Sequence, residues 1–269
     1  MIINRIWTSR VNIPRRAFWF VSRWLVRRLN LFNVATDVQS KKMQAIGLSR
    51  AAGLAKLNNV LSNVFGRLYD EQDGMFSEHL VLLASISVVH TNVERILEIG
   101  TFDGRTALIL SCLFPQAKII TIDLPSNETT FQQSYNRHAS FNNFITKRDD
   151  NVRRAGSVEF REANSLELAD YQNENFDLIW IDGAHGYPVV AMDVINSYRL
   201  SNRGAFVLID DVWEHTDASD KMYKSIGGLE SLNALVSAKL IPEYHLFHKR
   251  LGGVFNYPGQ KKYVGCFRK

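Results

Sequence analysis

The chain has 269 residues, of which 46% are hydrophobic and 22% charged, the composition of an ordinary globular protein. Its two cysteines, Cys112 and Cys266, argue against a disulfide framework and fit a reducing compartment, so a cytoplasmic location is expected. No uncharged apolar run approaches the roughly 18 residues that a membrane-spanning helix needs.

The net charge of +5 is unevenly distributed along the chain. Residues 1–60 contain eleven Lys or Arg and one acid, Asp37, a net of +10, so the remainder carries −5. The basic excess therefore belongs to the N-terminal segment, and the rest of the chain is mildly acidic. This division weakens the case for a protein that binds nucleic acid over its whole surface, and a nucleic-acid partner is not expected.

The N-terminal segment contains an apolar stripe at helical spacing. In AFWFVSRWLVRRLNLF, residues 17–32, one helix face would carry Phe18, Val21, Leu25, Leu29 and Phe32. One interpretation is a helix that packs on its own domain or on a second subunit, as in a homodimer. The other is peripheral contact of residues 15–32 with an anionic membrane surface. Residues 1–74 are predicted to form a basic helical arm and residues 75–269 the main domain.

Short apolar runs alternate with helical segments beyond a helical stretch at 41–90 that is broken near 69–74. Five strands are predicted at 95–100, 118–124, 157–163, 176–182 and 204–211, and the helices at 105–114, within 126–155 and at 187–200. A helix around 228–240 and two alternating strands at 243–250 and 261–269 complete the pattern. This order indicates an α/β, Rossmann-like three-layer sandwich with a seven-stranded, mostly parallel sheet whose last strand is antiparallel.

A glycine-rich turn, LEIGTFDGRT at residues 97–106, joins the first of these strands to a helix. Gly100 and Gly104 allow a tight turn and the close approach of a ligand, and the helix start offers free amide groups. The next strand ends at Asp123, 23 residues after Gly100, where a carboxylate can accept hydrogen bonds from both ribose hydroxyls. The turn and the acid together predict a nucleoside site. The G-x-x-x-G spacing differs from the G-x-G-x-x-G of dinucleotide enzymes, which disfavours a nicotinamide-dependent reductase.

The turn resembles motif I of the class I S-adenosylmethionine-dependent methyltransferases, E-x-G-x-x-x-G, which Glu98, Gly100 and Gly104 match. The resemblance covers residues from about 75 to 269. It implies that Asn164 and Ser165 lie against adenine, although an acid is usual at the first of these positions, and that the hydroxyl of Thr106 binds the methionine carboxylate. The full set of cofactor contacts it implies is Glu98, Gly100, Thr101, Gly104, Thr106, Asp123, Asn164, Ser165 and Asp182.

Three acids follow two apolar runs farther along the chain. Asp182 ends one predicted strand, and Asp210 and Asp211 end the next. In neighbouring parallel strands these ends would be about 5 Å apart, so the carboxylates would converge and raise one another's pKa values unless a cation separated them. Oxygen donors of this kind suit Mg²⁺ or another divalent cation, which could acidify a substrate hydroxyl.

The acids resemble those of metal-dependent O-methyltransferases of the catechol type and of the type that modifies antibiotic sugars. This resemblance implies that Asp182, Asp210 and Asp211 bind Mg²⁺. His185 stands where the catechol type has a basic lysine, so His185 is the expected catalytic base, with Asp182 also in a catalytic role.

The expected function is therefore Mg²⁺-dependent methyl transfer from S-adenosylmethionine to a hydroxyl of a sugar, glycolipid or other small metabolite. One alternative is a methyltransferase that acts on RNA or protein, with the basic arm as the docking element. A second is a non-catalytic scaffold that binds a membrane or a partner and keeps a vestigial pocket.

Overall fold

A computed structural model describes residues 31–71, 76–133, 140–171, 174–216, 225–251 and 262–269. Three helices come first: α1 (Leu31–Ala45), α2 (Arg50–Phe65) and α3 (Glu78–Val89). Residues 1–30, which include nearly all of the predicted membrane-contact segment, lie outside the described residues.

Strands and helices then alternate as the sequence predicts. The alternating part comprises β1 (Arg95–Ile99), α4 (Arg105–Leu113), β2 (Lys118–Asp123), α5 (Thr129–Gln133), α6 (Phe141–Ala155), β3 (Val158–Glu162), a 3₁₀ helix (Ser165–Asp170), β4 (Phe176–Ile181), α7 (Val189–Leu200) and β5 (Ser201–Trp213). The chain continues with α8 (Gly227–Ser237), β6 (His245–His248) and β7 (Lys262–Arg268).

The seven strands form one sheet in the order β3-β2-β1-β4-β5-β7-β6. Strands β1 to β5 run parallel to one another, whereas β7 is antiparallel to both β5 and β6. The predicted fold class, including the antiparallel last strand, is confirmed. The strand order reverses between β1 and β4, which is where ligands bind in open sheets of this kind.

Both faces of the central strands are apolar because helices cover both. On one face, Ile96 and Trp180 share a core with residues of α1 to α4. On the other, Leu97 and Ile181 pack with residues of α7 and α8. Strands buried on both sides are expected to be continuously apolar, as β1 and β4 are.

The helices α1 and α2 belong to the same core as the sheet. Met43, Leu57 and Leu61 are buried in the cluster that contains Ile96 and Trp180. Gln39 of α1 also exchanges two hydrogen bonds of 3.1 Å with the backbone of His248 in β6. The division of the chain at residue 74 remains a prediction, but the described residues before it pack directly on the sheet.

Candidate functional site

A cavity of about 320 Å³ opens at the carboxyl ends of β1, β2 and β4. Seven of the nine predicted cofactor residues line it: Gly100, Thr101, Thr106, Asp123, Asn164, Ser165 and Asp182. Glu98 and Gly104 do not line it. Of the predicted catalytic and metal residues, Asp182 and Asp210 line the cavity, whereas His185 and Asp211 do not.

Gly100 brings the ends of β1 and β4 together. Its φ is +100°, and a Cβ atom there would lie 2.3 Å from the carbonyl oxygen of Asp182. The approach is fixed by backbone hydrogen bonds from Gly100 to the Ile122 carbonyl at 2.9 Å and from Asp182 to the Ile99 carbonyl at 2.8 Å. Only glycine fits both the backbone conformation and the space.

Gly104 starts helix α4 from a left-handed conformation, with φ +74°. A Cβ atom at this position would lie 3.0 Å from the carbonyl oxygen of Arg148 in α6. The backbone of Gly104 lets α4 begin beside the cavity and presents the positive end of the helix dipole there, whereas its predicted contact with the cofactor stays a prediction.

Asp123 ties the glycine turn to the end of β2. One carboxylate oxygen accepts the amide of Phe102 at 2.9 Å and the other accepts the amide of Leu124 at 2.9 Å. A carboxylate offers about four lone-pair sites, so one such group can accept several hydrogen bonds at once. The predicted ribose-binding role therefore fits a side chain that the backbone already holds in place.

Glu98 lies beneath the turn, where its side chain is buried. Thr121 Oγ1 donates to Glu98 Oε2 at 2.5 Å, and the Thr121 hydroxyl is 2.7 Å from that of Thr101. Burial raises the pKa of Glu98 to about 8, with Asp123 and Asp103 adding to the effect. Since Glu98 does not line the cavity, it acts on the site through the threonines that support the turn.

Asn164 and Ser165 lie where a short 3₁₀ helix begins. Asn164 Oδ1 accepts the amide of Leu166 at 3.1 Å, which caps that helix. Asparagine and aspartate can both accept this capping hydrogen bond, so the local structure is compatible with either residue, and the contact of Asn164 with adenine stays a prediction.

The acids predicted to converge do so. β4 and β5 are adjacent and parallel, with Ile181 opposite Ile209, so Asp182 and Asp210 follow paired residues. β5 continues to Trp213 rather than ending at the acids, and its register against β7 shifts between Ile209 and Val212. Asp211 lies in this irregularity with φ +54°, a conformation that aspartate tolerates better than most residues.

Two lysines that sequence analysis missed neutralise the acids. Lys249, in the loop after β6, donates to Asp210 Oδ2 and Asp211 Oδ1 and also lines the cavity. Lys262 in β7 pairs with Asp211 Oδ2. Both lysines follow the acids by at least 38 residues, and neither stands in a recognisable motif, so the sequence carries no signal that would have found them.

The pKa values of the cluster are shifted in opposite directions. Burial and the Asp210 carboxylate raise the pKa of Asp182 well above its usual range. Burial alone would also raise the pKa of Asp210, but the nearby Lys249 ammonium outweighs burial and lowers it. For Lys249, burial is outweighed by Asp210 and Asp211, which raise its pKa. The pair Asp210 and Lys249 is therefore ionised at neutral pH.

Two histidines flank the acids. His185 Nε2 lies 3.6 Å from Asp182 and 3.8 Å from Asp211, and burial lowers the pKa of its ring. His79, which sequence analysis did not single out, lines the cavity from the first turn of α3. Its Nδ1 is 2.6 Å from the Ser77 hydroxyl, and its ring stacks on Trp180 with centroids 4.9 Å apart. Burial lowers the pKa of His79 to about 4, so this imidazole is neutral at neutral pH.

The donor atoms that converge differ in one member from the predicted metal ligands. Among the described residues, one atom each from Asp182, His185 and Asp210 lie within 4.8 Å of one another. Asp210 Oδ1 is buried with no hydrogen-bond partner. Two carboxylates and an imidazole suit a divalent cation. The third predicted ligand, Asp211, instead has both of its oxygens paired with lysines.

Comparisons with known proteins agree with this geometry. Residues 97–212 match a family model described as a methyltransferase domain. No curated protein matched the sequence significantly.

Two solved structures have a similar fold. One, described as a "putative O-methyltransferase from Klebsiella pneumoniae", is 16% identical, with a TM-score of 0.52 over 93% of this chain and 96% of that one. The other, an O-methyltransferase from Bacillus cereus in complex with SAH, is 18% identical, with a TM-score of 0.50 over 80% of this chain and 91% of that one. At these identities the likeness shows a shared fold.

The expected enzyme class is confirmed by the sheet order, by the glycine turn at its switch point and by the family model. Residues 97–212 are thus similar to a methyltransferase domain, and the sheet around them has the fold expected for one.

Proposed function

We propose that this protein transfers the methyl group of S-adenosylmethionine to a hydroxyl oxygen of a small acceptor such as a sugar, a glycolipid or another small metabolite. One observation carries the proposal: a single cavity is lined both by the glycine turn at Gly100 and by the polar cluster of Asp182, Asp210 and Lys249. A donor bound on the turn would therefore lie beside charged groups that can orient an acceptor hydroxyl.

The residues around the cavity support methyl transfer by binding the donor and the acceptor and holding them close to each other. The Asp123 carboxylate and the 3₁₀ helix at Asn164 hold the nucleoside, and the cavity brings the two reactants into one volume. The acceptor oxygen uses a lone pair to bond to the methyl carbon, and sulfur keeps the electron pair of the broken bond. Aligning two bound reactants in this way can supply a large part of the rate enhancement.

The proton of the acceptor hydroxyl needs a neutral base within reach. The sequence predicts His185, whose ring contacts the acids but does not line the cavity. His79 does line it and is fixed by Ser77 and Trp180. The cavity therefore favours His79 as the imidazole that takes the proton, with His185 orienting Asp182 from behind.

Dependence on Mg²⁺ is part of the proposal. The converging donors of Asp182, His185 and Asp210 would hold a divalent cation, and the buried, unpartnered Oδ1 of Asp210 supports this assignment. When bound there, such an ion would lower the pKa of an acceptor hydroxyl.

Calorimetric titration with S-adenosylmethionine, followed by mass analysis of products from candidate glycans, glycolipids and phenols, tests the proposal. We expect cofactor binding and a mass gain of one methyl group on a hydroxyl acceptor. A protein that binds no cofactor would be a scaffold. Methylation of RNA or protein with steep salt dependence, and of no small acceptor, would replace the proposed substrate class.

A further inference from the structure

The acid cluster already contains a cation supplied by the chain itself. The Lys249 ammonium contacts one oxygen of Asp210 and one of Asp211. Only 12% of the Lys249 side chain is exposed, compared with 34% for Lys262, which pairs with the other oxygen of Asp211. Lys249 is thus the cation buried at the centre of the cluster, and Lys262 lies at its edge.

The position of Lys249 is fixed by its backbone. Its carbonyl accepts the amide of Glu78 at 2.9 Å, and its amide donates to the carbonyl of Lys262 at 3.2 Å. Two residues later, the amide of Leu251 donates to Glu71 at 2.8 Å. The loop is therefore held between α3 and β7, and the ammonium reaches the acids from a defined anchor rather than from a free surface chain.

The Asp210 carboxylate takes part in two interactions: it pairs with the Lys249 ammonium, and it is one of the three groups that could hold a metal ion. One Asp210 oxygen is paired with Lys249, and the same carboxylate belongs to the group formed with Asp182 and His185. Two cations held on one buried carboxylate repel each other strongly, because a poorly solvated site screens charge weakly. A divalent ion and the Lys249 ammonium therefore cannot both bind Asp210 at full strength.

We propose that Lys249 is a tethered counter-ion that competes with a divalent cation for Asp210, so that metal binding requires the ammonium to withdraw. The inference goes beyond the proposed reaction, since it concerns which cation the acids hold and does not depend on the acceptor. It implies that Lys249 sets the metal affinity of the wild-type protein.

Titration with Mn²⁺ alone, followed by calorimetry or by the paramagnetic resonance of the free ion, measures this competition in the full chain. We expect Lys249→Met to bind Mn²⁺ at least about tenfold more tightly than the wild type, a difference that corresponds to ~1.4 kcal/mol. Lys262→Met is the matched control, because it removes the same charge from the cluster without freeing Asp210. Its affinity should stay within about threefold of the wild type.

Thermal unfolding provides a second readout. Without metal, Lys249→Met leaves the Asp210 carboxylate without its ammonium partner, so the Tm of this variant should fall below that of the wild type, and Mn²⁺ should restore it. Lys249→Gln, which keeps a hydrogen-bond donor but no charge, should show the same affinity gain and serves if the methionine variant does not fold.

Equal or weaker Mn²⁺ affinity in both Lys249 variants would overturn the proposal, as would an equal gain in Lys262→Met. A Tm that Mn²⁺ does not restore would also count against it. None of these measurements involves a methyl donor or an acceptor, so their failure is distinguishable from a failure of the proposed methyl transfer.

Discussion

Gly100 meets two independent constraints at the centre of the site. Its φ of +100° is rarely accessible to other residues, and its missing side chain leaves space for the backbone of Asp182. The same close contact sets the distance between the glycine turn and Asp182. A single glycine thereby couples the geometry of the glycine turn to the position of Asp182.

Gly100→Ala should reduce stability and cofactor binding together. The left-handed backbone costs about 1–2 kcal/mol for an L-residue, and the clash adds about 1–3 kcal/mol. Gly156→Ala is the matched control, because Gly156 also has positive φ (+64°) but nothing lies within 4 Å of its Cβ position. Urea unfolding and calorimetric titration of both variants compare the effects. Equal losses in the two variants would show that the close contact with Asp182 is unimportant.

Glu98 should make the protein less stable as pH rises. Its pKa is about 8 in the folded protein, compared with an ordinary 4.5, so between these values the folded state binds a proton that the unfolded state lacks. Its contribution is present below pH 4.5 and is lost as pH rises through 8, at up to about 1.4 kcal/mol per pH unit. Glu98→Gln mimics the protonated form and should flatten this decline in urea unfolding measured from pH 5 to 8.

Burial also raises the pKa of Asp193, to about 7, so this residue makes its own contribution to the pH dependence of stability. Asp193 is present in both the wild type and Glu98→Gln, so its contribution cancels when the two proteins are compared. The difference between the two pH profiles therefore isolates Glu98. Parallel profiles would mean that Glu98 is ionised in the folded protein.

His79 and His185 should differ in their effect on turnover. We expect His79→Ala to lower kcat by about 10²-fold, the scale of general-base catalysis, with cofactor affinity unchanged. His185→Ala should cost less than tenfold when Mg²⁺ is saturating, because His185 does not line the cavity and its proposed part is to help hold the cation. Since His79 is neutral above its pKa of about 4, wild-type kcat should be flat from pH 6 to 8 and should fall as pH approaches 4. The reverse order of losses, with a pH dependence near neutrality that His185→Ala removes, would assign the base to His185.

At the scale of elements, α2 and α3 hold the loop that carries Lys249. Arg50 of α2 forms two hydrogen bonds, of 2.7 and 2.8 Å, with the Glu78 carboxylate at the start of α3. The backbone amide of Glu78 in turn donates to the carbonyl of Lys249. These successive contacts link Arg50 in α2, Glu78 in α3 and Lys249 in the loop. They explain how residues distant in sequence fix the position of a charge at the cavity.

Removing one partner of the buried pair should destabilise the protein strongly. Glu78→Leu leaves the Arg50 guanidinium buried without its partner and should cost about 3–5 kcal/mol in urea unfolding. The double variant Arg50→Met, Glu78→Leu should recover most of that loss, because an apolar pair of similar volume is often tolerated. A double variant no more stable than Glu78→Leu would mean that the two helices need the ion pair itself.

At the scale of the whole molecule, helices cover both faces of the sheet and leave its carboxyl edge open for the cavity. The N-terminal helices α1 to α3 cover the face that contains Trp180. None of the described helices combines the length and the apolar character needed to cross a bilayer. Residues 15–32 are the segment for which contact with a membrane surface is one of two interpretations of the sequence.

The combined change of Arg23, Arg27 and Arg28 to Ala tests that contact. If residues 15–32 lie on an anionic surface, each lost cation should weaken binding by about 1 kcal/mol, so co-sedimentation with phosphatidylserine vesicles should drop sharply. Light scattering of the wild type and of the triple variant measures their molecular mass in solution and tests the other interpretation, in which the segment packs on a second subunit of a homodimer. Unchanged vesicle binding, or none in the wild type, would favour the alternative in which the segment packs on its own domain or on a second subunit.

The sequence by itself determined the seven-stranded sheet, the glycine turn and the convergence of Asp182 with Asp210. These features follow from local periodicity, from glycine spacing and from the rule that parallel strands end at one edge. Only the tertiary structure decided which cations neutralise the acids and which imidazole lines the cavity. Lys249 and His79 reach the site from a loop and a helix that approach it through packing, and no local pattern encodes such a meeting.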